Sequence, residues 1–206
     1  MDIKKNKTRF NWISDDWKRV KNHCRTTMRK LFTDKEPSEE FKKAMLICEH
    51  SPIRLLEFDW TWEQMPYWVH TEWVRHRFEK FISTQRNDRQ SEYDRNAARQ
   101  DAPVTFDGYA NMQNLIDAWR KRLCFQASKE AREYAEDFKK ELHNTHPYEA
   151  DVLVPNCIYR AGCPEMSTCK YWQKFKEKWI EEGYDLLNIQ ERYKAYNQDF
   201  YNRLDD

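Results

Sequence analysis

The stretch Leu56-Glu57-Phe58-Asp59-Trp60-Thr61-Trp62 alternates apolar and polar residues without interruption. Successive side chains of a β-strand point to opposite faces, so this period of two predicts a strand with one buried face. Pro66 follows the stretch, and proline suits the first turn of a helix because an N–H at that position has no helical partner. The sequence therefore predicts a strand that leads into a helix.

Helical periodicity dominates the rest of the chain. Ser38 is placed to cap a helix with Glu39 and Glu40 in its first turn, and this helix is predicted to run to about Cys48. Further helices are predicted wherever apolar residues recur at helical spacing. The predicted stripes are Phe41, Ala44, Met45 and Cys48; Val74, Phe78, Phe81 and Ile82; Met112, Leu115, Ile116, Trp119 and Leu123; Ala127, Ala131, Ala135, Phe138 and Leu142; Trp172, Phe175 and Trp179; and Ile189, Tyr193, Tyr196 and Phe200.

The segments between these stripes complete the expected fold. Residues 1–16 are expected to form an irregular arm, and residues 17–32 a helix, with a short strand at Thr26-Thr27 as the alternative. Residues 86–107 look like a long loop, and Asp107-Gly108 is typical of a turn. The predicted class is α+β: mostly helical, with a small antiparallel sheet flanked by long helices. Residues 1–170 would form this domain and residues 171–206 a C-terminal helical extension of it.

Composition narrows the functional classes. The chain has 36 basic and 35 acidic residues and a net charge of +1, which excludes a global nucleic-acid-binding charge but not a local patch. Charged residues make up 34%, yet aromatic residues reach 15% with nine Trp, and this favours a folded domain with an aromatic core. With no apolar run of membrane-spanning length and no apolar signal segment, the expected location is the cytoplasm.

The six cysteines are expected to be reduced, because no secretory signal precedes them. Cys157, Cys163 and Cys169 are the only ones that cluster in sequence. Zinc prefers four ligands and usually closer pairs. A structural metal site would need a fourth ligand from Cys24, Cys48, His143 or His146, so reduced loop cysteines without a metal are the favoured interpretation.

Two short motifs could carry chemistry. The window from Arg75 to Arg89 holds five basic and two acidic residues, a local charge of +3. If one helix ran through it, Arg75, Arg86 and Arg89 would share a face suited to phosphate, although a solvated basic face is the simpler explanation of the charge. Glu49-His50-Ser51-Pro52, just before the strand, would present a His and a hydroxyl at a Pro-fixed turn, and turn chemistry alone accounts for it.

Taken in order, these motifs resemble the flavin-dependent thymidylate synthases. That family has a Ser/Thr-Pro turn, a Phe-containing strand, a helix and an Arg-His-Arg signature, as Ser51-Pro52, Phe58 and Arg75-His76-Arg77 provide here. The resemblance extends over roughly residues 20–170. Its further matches are Thr84-Gln85-Arg86 after one deletion, Ala98-Arg99, the helix start Asn111-Met112-Gln113-Asn114-Leu115, Arg122-Leu123-Cys124, and Ala127 with Glu130-Ala131-Arg132.

The chain also departs from the family pattern. Glu72 stands where the family has Gln, and Gln113 stands where it has Arg. The interval between Arg86 and Arg99 is shorter than the helical stretch that the family has there. A short, divergent member of this kind would suit a virus.

The resemblance implies a homotetramer with FAD between subunits, which methylates dUMP with methylenetetrahydrofolate and NADPH. His76 and Arg77 would meet the flavin. The implied FAD-binding set is Ser51, Arg75, His76, Arg77, Asn111 and Gln113. The implied nucleotide-binding set is Glu72, Arg75, Thr84, Gln85, Arg86, Arg99 and Arg122. No catalytic side chain is assigned, because the family does its chemistry with the flavin.

A non-enzymatic relative is the alternative. It would keep the fold as a module that binds a nucleotide, a nucleic acid or another protein. The aromatic stripes of residues 171–201 would then still be explained by packing on the domain or on a neighbouring subunit, in preference to stacking on bases or flavin.

Overall fold

The computed structural model describes residues 7–90 and 93–205. The strands are β1 (Thr8–Ile13), β2 (Glu57–Pro66), β3 (Glu79–Ile82) and β4 (Pro103–Asn111). The helices are α1 (Trp17–Thr27), α2 (Glu39–Ile47), α3 (Tyr67–Trp73), α4 (Met112–Arg122), α5 (Lys129–His143), α6 (Pro147–Asp151), α7 (Asn156–Tyr159), α8 (Tyr171–Glu181) and α9 (Ile189–Asp205), with a 3₁₀ helix at Ser51–Leu55. The predicted mostly helical α+β class with a small antiparallel sheet is confirmed.

The sheet is antiparallel with the strand order β1-β2-β4-β3, so the strand predicted from alternation lies at its centre. Phe58, Trp60 and Trp62 of β2 are fully buried, as the alternation predicted. Their rings meet Trp119 of α4 and Phe138 of α5, with centroids 6.2 Å and 5.1 Å from Trp60. An aromatic core therefore fills the space between the sheet and these two helices.

Gly108 lies within β4 and not in a turn, so the turn expected at Asp107-Gly108 is wrong. Gly108 pairs with Trp60 across the ladder, and a Cβ built on Gly108 would stand 2.2 Å from the Trp60 ring. The glycine is required by this close approach, which a strand tolerates where a neighbour needs the space. The loop predicted over residues 86–107 accordingly ends earlier, because β4 begins at Pro103.

The helix predicted after Pro66 is much shorter than expected. Pro66 does precede α3, but α3 ends at Trp73, and residues 79–82 form β3 on the edge of the sheet. Phe81 is paired with Asp107 and its side chain is 65% exposed. Pairing with β4 thus prevails over the helical spacing, and Arg75, Arg86 and Arg89 share no helix face.

Two expectations for the N-terminal part are wrong. Residues 8–13 form β1 and not an irregular arm, because Thr8 accepts a 2.8 Å hydrogen bond from Trp62 Nε1 and Phe10 packs on Phe138. The first six residues lie outside the described part. No strand forms at Thr26-Thr27, since both belong to α1, which ends there when Arg29 adopts a left-handed φ of 55°.

Helix α2 begins where it was predicted. Ser38 Oγ accepts a 3.2 Å hydrogen bond from the backbone N–H of Phe41 and caps the helix. The buried residues are Met45 and Leu46, whereas Ala44 and Cys48 of the predicted stripe are exposed. The buried face of α2 is therefore rotated from the one predicted.

Helices α8 and α9 bury the predicted aromatic residues. Phe175, Trp179, Tyr193, Tyr196 and Phe200 are all buried in the common core. Ile189 and Trp172 pack against it from partly buried positions. No helix of the described residues is long and apolar enough to cross a bilayer.

Helix α9 also encloses a charged group of α5. Lys139 is fully buried, and its Nζ donates hydrogen bonds to the carbonyl of Ala150 (2.5 Å) and to Asn197 Oδ1 of α9 (2.8 Å). Burial lowers the pKa of Lys139 to about 7, because the ammonium loses its hydration.

Candidate functional site

The Arg75-His76-Arg77 segment borders an open pocket of about 450 Å³. The segment turns directly after α3, where the N–H of His76 bonds the carbonyl of Trp73 and the N–H of Phe78 bonds that of His76. Phe78 is buried against Trp60, with ring centroids 5.3 Å apart, and anchors the turn to the core. The other lining residues come from the start of β2, from β3 and from the end of β4: Glu57, Glu79, Lys80, Tyr109, Ala110, Asn111 and Asn114.

His76 is held by hydrogen bonds on its ring and on its backbone. Its Nε2 accepts a 2.8 Å hydrogen bond from Arg122 Nε, and its carbonyl accepts one of 2.6 Å from Lys80 Nζ. Burial, and then the charges of Arg122 and Lys80, lower the pKa of His76 to about 4. The imidazole is therefore uncharged at neutral pH.

Glu72 and Arg122, both assigned to the nucleotide by resemblance, are bound to each other. Arg122 Nη1 donates to Glu72 Oε2 at 2.5 Å, and Nη2 donates to the Glu72 carbonyl at 2.6 Å. The two side chains are only 13% and 25% exposed. Burial lowers the pKa of Arg122, and the Glu72 carboxylate opposes that shift. Glu72, His76 and Arg122 thus form one cluster beside the pocket.

Arg75 and Arg77 supply positive charge that the described part of the chain leaves uncompensated. Both side chains are exposed, and neither forms an ion pair with a residue that the structure describes. Arg77 lines the pocket. Guanidinium groups in this condition can bind a phosphate in bidentate geometry.

Arg86 and Arg99 lie in the segment between β3 and β4, away from the pocket lining. Each bonds an aspartate two residues further along: Arg86 meets Asp88 at 2.5 Å and Arg99 meets Asp101 at 2.9 Å. Thr84 and Gln85 are half-buried in the same segment, where Thr84 Oγ1 accepts from the N–H of Arg86. The structure does not gather these four residues with His76 in one chain.

The remaining residues of the FAD set are divided among three places. Asn111 lines the pocket and caps α4, accepting a 3.0 Å hydrogen bond from the N–H of Asn114. Ser51 begins the 3₁₀ helix and lines a separate, shallow pocket of about 320 Å³. Gln113 donates to Glu49 Oε2 at 2.8 Å, and Glu49 also pairs with Arg120, whose guanidinium covers the Tyr159 ring.

Lys80 and Tyr109 line the pocket but were not foreseen in the sequence. Both follow from strands that the sequence analysis did not predict, β3 and β4. The signal for β4 was present, because Val104, Phe106 and Ala110 are buried at alternate positions of that strand. The Asp107-Gly108 pair concealed it.

All six cysteines are free. Among the described residues, no group of three or more His, Cys, Asp or Glu side chains is arranged to hold a metal. The thiol that joins Cys157, Cys163 and Cys169 as an electrostatic neighbour is Cys124, which the spacing did not suggest. Burial raises the pKa of Cys157 to about 12, so this thiol stays protonated.

Comparison with known proteins locates the fold. The sequence matches no protein-family model and no curated protein. Two crystal structures of the flavin-dependent thymidylate synthase ThyX from Helicobacter pylori, both with FAD and dUMP, superpose on it. The chain is similar in fold to ThyX.

The similarity is one of architecture. The first ThyX structure gives a TM-score of 0.60 at 12% identity and covers 69% of this chain and 97% of its own. The second gives 0.61 at 13% identity and covers 71% and 98%. The fold relationship to ThyX expected from the sequence is therefore shown, and about two thirds of the chain carries it.

Proposed function

We propose that the chain is a thymidylate synthase-like protein that binds FAD and dUMP and transfers a one-carbon unit reductively to the pyrimidine. The observation that carries this proposal is the pocket where His76, Arg77 and Asn111 meet, in a fold shared with ThyX crystallised with FAD and dUMP. In the sequence order of the family, these are residues of its FAD set.

The donors around the pocket fit a dinucleotide. A pyrophosphate needs cations that are not already paired, and Arg75 and Arg77 meet that need. The pocket at His76 and the one at Ser51 are separate, with volumes of about 450 and 320 Å³. Each suits only part of FAD, which supports a tetramer in which a neighbouring copy completes the site.

When bound, the flavin supplies hydride transfer from NADPH to a one-carbon unit that methylenetetrahydrofolate provides. The chain's own residues bind and orient. Arg75 and Arg77 hold phosphate, His76 offers an uncharged ring, and Asn111 fixes the start of α4 at the pocket rim. No side chain is assigned as a nucleophile.

A binding module without turnover is the second candidate function. The observation that favours it is charge compensation, because Arg86, Arg99 and Arg122 are each paired with a carboxylate of this chain. Three arginines of the proposed nucleotide set would have to leave these pairs to hold a phosphate.

The test begins with FAD titration of the purified protein, followed by absorbance. Arg77→Ala should weaken FAD binding by about 1.5–3 kcal/mol, which is the range for a lost hydrogen bond to a charged group. Arg19→Ala is the matched control, since Arg19 is exposed on α1 and lines no part of the pocket. Protein that stays colourless, or equal affinity in the two variants, would refute FAD binding at this pocket.

Two further measurements separate the candidate functions. Formation of dTMP from dUMP, NADPH and methylenetetrahydrofolate supports the enzyme, whereas FAD and dUMP binding without turnover supports the binding module. Sedimentation that shows only a monomer at micromolar concentration would contradict a site shared between copies.

A further inference from the structure

Arg122 connects two elements of the site. It is the last residue of α4, and its guanidinium reaches both α3 and the turn that follows it. Nε donates to His76 Nε2 at 2.8 Å, Nη1 to the Glu72 carboxylate at 2.5 Å and Nη2 to the Glu72 carbonyl at 2.6 Å. Each of the three guanidinium nitrogens therefore has a partner in the chain.

This contact determines where the His76 ring carries its proton. An arginine only donates hydrogen bonds, so the ring nitrogen that faces it must accept. Nε2 of His76 consequently keeps its lone pair, and the proton of the neutral ring is on Nδ1. A second ring proton would place an N–H of His76 against an N–H of Arg122.

The charged groups around the ring act in the same direction. Lys80 approaches the carbonyl of His76 at 2.6 Å, and the Glu72 carboxylate is engaged by Arg122 and not by the ring. Trp73 and Phe78 flank the imidazole, with ring centroids 5.8 and 6.3 Å away. Two cations and two apolar rings all disfavour an imidazolium.

We propose that Arg122 is a positioning residue that holds His76 as the neutral Nδ1–H tautomer and so gives the pocket an uncharged N–H donor. No described residue bonds Nδ1, and His76 lines the pocket. An uncharged donor suits an uncharged acceptor, such as the carbonyl of a pyrimidine or flavin ring. Phosphate is then left to Arg75 and Arg77. The proposal rests on the proposed function for its ligand but not for its tautomer.

The experiment measures the ring nitrogens of His76 directly. Long-range proton–nitrogen NMR of the ¹⁵N-histidine protein distinguishes the two tautomers and the imidazolium, and His76→Gln identifies the signal among the six histidines. We expect the Nδ1–H form in the ligand-free protein, without titration between pH 8 and about 5. Arg122→Gln should admit the Nε2–H form and raise the midpoint of titration towards that of a free histidine.

Lys121→Gln is the matched control. Lys121 is the preceding residue of α4, is 56% exposed and pairs with Glu165. Its removal should leave the His76 spectrum unchanged. A structural defect shared by both variants would move the other histidines as well.

Two results would overturn the proposal: an Nε2–H tautomer in the unmodified protein, or a His76 spectrum that Arg122→Gln leaves unchanged. If Arg122→Gln does not fold, the tautomer of the unmodified protein still decides. The spectrum needs no cofactor, so a protein with the expected tautomer that binds no FAD would refute the proposed function and keep the role of Arg122.

Discussion

Arg122 and Arg86 both belong to the residues that the resemblance assigns to the nucleotide, yet they stand in different surroundings. Arg122 ends a helix of the framework, by which we mean β2, β4, α4 and α5 around Trp60, and contacts residues far away in sequence. Arg86 lies in the segment between β3 and β4 and bonds Asp88, its near neighbour.

The difference shows how much each residue is worth to the fold. Contacts between distant parts of the chain depend on the whole framework, and breaking them exposes buried groups. A pair of residues two positions apart can form in the unfolded chain as well, so it adds little to the free energy of folding. We expect changes in the framework to affect stability and changes in the segment to affect binding alone.

The largest expected effect comes from Gly108→Ala. A methyl group at Gly108 would stand 2.2 Å from the Trp60 ring, which is fully buried and has no room to move. Overpacking of this kind should lower the free energy of unfolding by about 3 kcal/mol. Urea denaturation measures it. Gly162→Ala is the control, since the nearest atom to its added Cβ is 4.0 Å away, and equal losses would contradict the contact.

Lys139→Met should change how stability depends on pH. The pKa of Lys139 is about 7 in the folded protein and ordinary in the unfolded one, so above pH 7 the unfolded state holds the extra proton. Stability should therefore rise from pH 7 to pH 9 by about 2 kcal/mol more in the unmodified protein than in Lys139→Met.

Denaturation at several pH values follows this difference. Lys140→Met provides the comparison, because Lys140 is the next residue of α5 and is exposed. Parallel pH curves for the unmodified protein and Lys139→Met would show that the buried amine does not titrate in this range.

The smallest effect on stability is expected in the segment between β3 and β4. Arg86→Ala and Arg99→Ala should each change the free energy of unfolding by less than about 0.5 kcal/mol, as is usual for exposed pairs. Isothermal titration with dUMP then tests their proposed role. A large loss of stability in either variant would remove the distinction between segment and framework.

The framework was the more predictable part from sequence. The alternation of β2 and the apolar stripes of α4 and α9 are strong periodic signals, and all three elements are present. β3 and β4 were missed, because β3 is four residues long and the centre of β4 holds a glycine that Trp60 requires. The pairing of Glu72 with Arg122 joins residues whose proximity depends on the finished fold, and no local pattern announces it.

The position of α9 has a consequence for synthesis on the ribosome. Asn197 and Phe200 enclose Lys139, and Arg192 donates to the carbonyls of Ile158 and Leu186. The sheet and α5 leave the exit tunnel well before these partners do. The nascent chain must therefore wait, with its aromatic core partly open, until α9 emerges, and chaperones that recognise apolar segments have access to it during that interval.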